Sequence, residues 1–221
     1  MEKIIIIGAG GFARETLDII DAINAVKPTY DMLGFVVESK YFKNDCFVND
    51  KPVIGDFNWL KQNSKYCKTV IAVGAPEVRM RLANMALEAG GAFCNLIHPR
   101  AIITKWINFG SGVIIAAGAI LTNQIKIGNH VQINLDCTVG HDALLDNFVT
   151  VAPGSHISGS VSIGEGAYIG TGAVIIEKKN VGKWSIVGAS STVVKDVPDN
   201  ATVVGAPAGV IKQREEGWQL K

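Results

Sequence analysis

The chain has 221 residues, 48% of them hydrophobic and 19% charged, enough to bury one large core or two small ones and too apolar for a disordered chain. Its 21 basic and 20 acidic residues leave a net charge of +1, which excludes a global field drawing it to nucleic acid or to an anionic membrane. The opening MEKIIIIGAGG is too short an apolar run for a secretion signal or a membrane span, so a cytoplasmic protein is expected.

Residues 3–7 read as a buried strand, followed by a glycine turn and an amphipathic helix with apolar Phe12, Leu17, Ile19, Ile20 and Ile23. MLGFVV from Met32 and TVIAVG at 69–74 read as further strands, and PEVRMRLANMALEAG as a helix ending at Gly90-Gly91. This alternation predicts a small α/β, Rossmann-like domain over residues 1–95, with ligands at the carboxyl ends of its strands. Gly8-Ala9-Gly10-Gly11-Phe12-Ala13 fits G-x-G-x-x-A, with Glu38 after the second strand as a ribose partner. A dinucleotide site, a cradle for the phosphates of a nucleotide sugar and a plain structural turn all fit this pattern. About 95 residues is short for two mononucleotide halves, which favours the cradle.

From Ile97 every sixth residue is Ile, Val, Leu or Phe, for seventeen consecutive units ending at Val193. Four residues after most of these stands a small or β-branched residue, with Lys179 the clear exception. A period of six fits neither a helix nor an isolated strand, but it fits a short strand and a tight turn repeated around a coil. Gly110, Gly128, Gly140, Gly164, Gly170, Gly182 and Gly188 follow the apolar position and are expected to give the corners their backbone freedom. The four cysteines, Cys46, Cys67, Cys94 and Cys137, form no CxxC, which argues against zinc and fits reduced thiols.

These repeats resemble the hexapeptide-repeat family, whose fold is a left-handed parallel β-helix, and specifically its acyltransferases. The resemblance implies three hexapeptides per triangular coil, stacking of residues 18 apart at about 4.8 Å, and five to six coils whose register never slips between 97 and 198. The order of the two domains narrows it further. IIIIGAGGFARE, GFVVE, AVGAPEVR at 72–79, LIHPRA at 96–101, VGHD at 139–142 and TVVGAPAGVI near the end make nearly the whole chain similar to sugar acyltransferases related to sialic acid O-acetyltransferase and to nucleotide-aminosugar N-acetyltransferases. The expected layout is a nucleotide-sugar domain at 1–95, the β-helix at 96–204 and a C-terminal tail at 205–221.

Acyl transfer from a thioester needs a base for the attacking amine or hydroxyl and a donor for the oxyanion. Of the four histidines, His98 sits in the joint before the prism, His130 at a turn and His156 on an outward strand position, and none points inward. His141 stands apart because Asp142 follows it, Asn134 precedes it by seven residues, and the 18-residue stacking places it between Asn123 and Gly159. The resemblance implies His141 as general base, Asp142 as its orienting acid and Gly159 as the amide facing the thioester carbonyl. It also implies acetyl-CoA as cosubstrate with no metal, and a homotrimer with active sites between subunits. Gly8, Gly10, Gly11, Phe12, Glu38, Gly74 and Arg79 are the candidate nucleotide-sugar contacts. Thr150, Gly159, Gly188, Ala189, Gly205, Pro207 and Lys212 are those for the cosubstrate. The acceptor expected is a UDP- or dTDP-linked 4-amino-4,6-dideoxy sugar; O-acetylation of sialic acid or a polysaccharide sugar, and a noncatalytic sugar-nucleotide-binding trimer, are the alternatives.

Overall fold

The computed structural model describes residues 1–220. They divide into two compact units, Met1–Gly74 with Val78–Pro99, and Ala75–Glu77 with the chain from Arg100 on.

The first unit runs β1 (Glu2–Ile7), α1 (Gly11–Val26), β2 (Tyr30–Val36), β3 (Phe47–Val48), β4 (Lys51–Gly55), α2 (Phe57–Asn63), β5 (Lys68–Ile71), α3 (Pro76–Glu88) and β6 (Ala92–Phe93). The sheet order is β3-β4-β2-β1-β5-β6, parallel except for the β3–β4 pair. Ile4 to Ile7 are completely buried, as a central parallel strand covered on both faces requires. Helix α1 buries Ala13, Thr16, Leu17, Ile19 and Ile20, so the apolar stripe read from sequence is its inner face. The β3–β4 hairpin and α2 escaped the sequence reading. The hairpin turns on Asn49 and Asp50, both at positive φ, and Asp56 caps α2 by accepting from the Asn58 and Trp59 amides.

The second unit winds sixteen two-residue strands from Ile102 to Val193 around three faces. One face stacks Ile114–Ile115, Gln132–Ile133, Thr150–Val151, Tyr168–Ile169 and Ile186–Val187. A second stacks Ile102–Ile103, Ile120–Leu121, Thr138–Val139, His156–Ile157, Val174–Ile175 and Thr192–Val193. The third stacks Asn108–Phe109, Lys126–Ile127, Leu144–Leu145, Ser162–Ile163 and Asn180–Val181. Every one of these pairings joins residues 18 apart, the geometry of a left-handed β-helix of hexapeptides. The apolar sixth positions from Ile115 to Val193 are buried, whereas Phe109 in the first coil is half-exposed.

Two details depart from the sequence reading. The glycines after the apolar positions are not at positive φ; the left-handed residue comes two positions later, at Gly112, Gly118, Gln124, His130, Asp136, Asp142 and Phe148. The earlier glycines are required by close approach instead: a Cβ on Gly140 would lie 2.5 Å from the Gly159 nitrogen of the next coil. The register also slips before residue 198. Val181 bridges Val197, and Ile186 pairs with Thr202, a spacing of 16. Asp196 makes the shortened corner by accepting from the Asn180 amide and side chain. Beyond it, Gly209–Gln213 of the expected tail pairs antiparallel with Ala201–Val204.

Candidate active site

In the first unit a cleft of about 510 Å³ opens at the carboxyl end of β1, where the strand order reverses from β2 to β5. Gly8, Ala9 and Gly10 form its floor, Val37, Glu38 and Tyr41 one wall, and Val73, Val78, Arg81 and Leu82 the other. Gly8 has φ +105°, and a Cβ there would meet the Ala72 carbonyl oxygen at 3.0 Å, so only glycine lets the turn pass this close. Glu38 is bridged by Arg81 through two bonds, Nη1 to Oε2 at 2.6 Å and Nη2 to Oε1 at 3.1 Å. The hydrogen-bonded guanidinium holds the Glu38 carboxyl below the usual carboxylate range.

The other candidates of this domain divide. Gly11 opens α1 and Phe12 accepts a bond from Thr16 within that helix; neither lines the cleft. Arg79 is fully buried and donates to the Val73 and Gly74 carbonyls at 2.8 and 3.1 Å. It ties down the loop after β5 through these two carbonyls, while Gly74 itself is half-exposed. Arg81 is the cationic residue facing the cleft. Two residues along a helix are about 200° apart, so one arginine points in and the other out, and sequence alone did not say which.

In the second unit His141 stands at the corner after Thr138–Val139. Asp142 takes the left-handed conformation (φ +58°), and the His141 Nδ1 to Asp142 Oδ2 distance is 2.8 Å. With Nδ1–H donated to the carboxylate, Nε2 keeps its lone pair. The stacking expected from sequence is present: the Asp142 amide donates to the Asn123 carbonyl and the Ser160 amide to that of His141. A Cβ on Gly159 would lie 2.6 Å from Nε2, so the imidazole occupies the space that glycine leaves. His141 and Asp142 are solvent-accessible, with side-chain exposures of 68% and 51%. This arrangement can take a proton at Nε2 beside a backbone amide one coil away.

Asn134 is not joined to this pair; its side chain accepts from the Leu135 amide at 2.9 Å. Thr150 is buried on another face, stacked between Gln132 and Tyr168. Gly188, Ala189 and Gly205 gather at the upper end of the prism, where the Gly205 amide donates to the Ser191 hydroxyl and its carbonyl accepts from Thr192. Pro207 and Lys212 are exposed, the latter opposite Thr202 on the antiparallel strand. His130 stands at its expected turn (φ +56°) and is buried there, its ring stacked on Phe148 with centroids 5.1 Å apart. His156 is exposed, with Nδ1 3.0 Å from the Thr138 hydroxyl. Among the described residues no helix is long and apolar enough to cross a membrane.

Residues 3–86 match the PglD N-terminal domain family. The chain is 31% identical over 218 residues to GDP-perosamine N-acetyltransferase of Escherichia coli O157:H7, covering 94% of this chain and 96% of that one. Among solved structures it is similar to perosamine N-acetyltransferase from Caulobacter crescentus, seen as a histidine-to-asparagine variant in complex with CoA and GDP-perosamine. That match has a TM-score of 0.86 at 30% identity and covers 96% and 98% of the two chains. The acetyltransferase domain of PglB from Neisseria gonorrhoeae, in complex with acetyl coenzyme A, matches with a TM-score of 0.85 at 33% identity over 95% and 99%.

Proposed function

The chain belongs to the hexapeptide-repeat sugar acyltransferases that carry a PglD N-terminal domain and is an acetyl-CoA-dependent N-acetyltransferase of a nucleotide-linked aminosugar; we propose that its acceptor is GDP-linked and that His141 is its general base. The observation that carries the assignment of the base is the placement of His141, with Nδ1 on Asp142 and Nε2 over Gly159. The sugar amine attacks the thioester carbonyl, Nε2 takes the proton from the amine, and the new C–N bond replaces the C–S bond as the CoA sulfur leaves with a proton. The Gly159 amide, which has no acceptor among the described residues, is the donor for the oxyanion. Asp142 fixes the tautomer and steadies the imidazolium.

The nucleotide lies in the cleft over Gly8 and Gly10. A GDP-linked acceptor is preferred to the UDP- or dTDP-linked sugar expected from sequence because two relatives that span nearly the whole chain are named for perosamine, one for GDP-perosamine and one seen in complex with it, although the PglB domain that spans as much is not. The homotrimer belongs to the same proposal, supported by exposed apolar side chains flanking the His141 corner: Ile102 and Ile120 on one face, Leu144 on the next. So does a cytoplasmic location, where acetyl-CoA is at hand.

The test is acetyl-CoA consumption with GDP-, UDP- and dTDP-linked 4-amino-4,6-dideoxy sugars, with sialic acid included. Turnover of a GDP-linked aminosugar is expected; turnover of sialic acid alone would move the enzyme to O-acetylation. His141→Asn should lose roughly 10²- to 10⁴-fold in kcat while keeping fold and CoA binding, and unchanged turnover would remove His141 from the role.

A further inference from the structure

Resting on the nucleotide-sugar reading of the cleft, we propose that Glu38 reads the base of the nucleotide, selecting guanine over uracil or thymine through a two-point hydrogen bond. The Glu38–Arg81 contact is bidentate, two roughly parallel N–H donors meeting the two carboxylate oxygens at 2.6 and 3.1 Å. The Watson–Crick edge of guanine presents the same pattern, N1–H beside N2–H. Uracil and thymine present a single N3–H flanked by two carbonyls, so a carboxylate that accepts from N3–H sets its second oxygen against a carbonyl oxygen. The carboxylate therefore matches one base and repels part of the edge of the other two.

The surroundings fit this role. The Glu38 side chain is only 16% exposed, whereas that of Arg81 is 47% exposed, so the carboxylate is fixed and the guanidinium is the partner able to swing into solvent. Glu38 is anchored through its own carbonyl, which accepts from the Tyr41 amide at 2.8 Å, and the next residue, Ser39, donates to Asp56 at 2.6 Å. An ion pair this exposed on one side is weak enough for a ligand to replace. Val37, Val73, Val78 and Leu82 give the cleft apolar walls for a ring, and Tyr41 stands at its rim.

A carboxylate that instead holds the ribose hydroxyls treats GDP and UDP alike, and this separates the two roles. The experiment is calorimetric binding of GDP, UDP and dTDP to the full chain and to Glu38→Gln, with thermal melting as a check of folding. The wild type should bind GDP at least about tenfold tighter than UDP, and Glu38→Gln should weaken GDP by about tenfold or more while changing UDP and dTDP by less than about twofold. An equal loss for all three, no loss for GDP, or a wild type that does not prefer GDP overturns base reading. The outcome is independent of catalysis: a chain that prefers GDP through Glu38 but acetylates no nucleotide-linked aminosugar would refute the proposed acceptor and leave this inference standing. Wild-type protein binding none of the three would overturn both.

Discussion

Gly159→Ala puts one methyl group where the structure leaves room for none. An ideal Cβ there lies 2.6 Å from His141 Nε2, 2.7 Å from Cε1 and 3.0 Å from Cδ2. Ordinary van der Waals contact begins near 3.4 Å, so the ring must withdraw by about 1 Å or rotate away from Asp142. Gly159 is not at positive φ, so alanine meets no backbone strain, and His141 is exposed and free to move without opening a cavity. The methyl group is thus accommodated at the expense of the base's position. A displacement of about 1 Å costs on the order of 10²-fold in rate, or about 2.7 kcal/mol of barrier. The assay is kcat and KM for both substrates alongside a melting curve, with kcat falling roughly 10²-fold and the melting temperature nearly unchanged. Gly140→Ala is the control: its Cβ would lie 2.5 Å from the Gly159 nitrogen and 2.6 Å from the Ser158 carbonyl carbon, backbone atoms held in the coil ladder. That variant should lose about 1–3 kcal/mol of stability as an overpacked site. Full activity in Gly159→Ala would refute the placement of Nε2 over this glycine as the working geometry.

Asp142→Asn removes the negative charge beside Nδ1 but keeps an acceptor; kcat should drop roughly tenfold to a hundredfold with the melting temperature unmoved, because an exposed pair adds little stability. An unaltered kcat would count against Asp142 as the orienting group. Arg79→Met should lower stability by roughly 1–3 kcal/mol in denaturant titration, since it removes the buried guanidinium that ties the Val73 and Gly74 carbonyls; a change below about 0.5 kcal/mol would refute its role as a clamp. Burial pushes the Cys67 and Cys137 thiols up, and burial with the Glu2 carboxylate pushes Cys94 up to about 12. At pH 8 these three stay protonated in the folded chain, so iodoacetamide should label half-exposed Cys46 first, and preferential labelling of Cys94 would contradict the fold around it.

The β-helix was legible because its rule is written once per six residues: a coil of 18 repeats its own register, so stacking His141 under Gly159 followed from counting. The glycine turn after β1 and the inner stripe of α1 were legible for a similar reason, each being a local pattern with one physical cause. Short irregular pieces were not. The two-residue strand β3 carries no periodicity, and the slip at Val197 is made by an aspartate side chain bonding a residue 16 positions back.

Sequence by itself determined the periodic scaffold, the adjacency of His141 and Asp142, and the glycines, since these depend on local spacing. Tertiary structure alone decided that Asp142 turns back onto Nδ1, that the corner glycines answer to the neighbouring coil and not to φ, and that Arg81 faces the cleft while Arg79 is buried beneath it. Each of these depends on which atoms of distant residues fill the same few ångströms, and the 43 positions between Glu38 and Arg81 carry no periodic signal that would pair them.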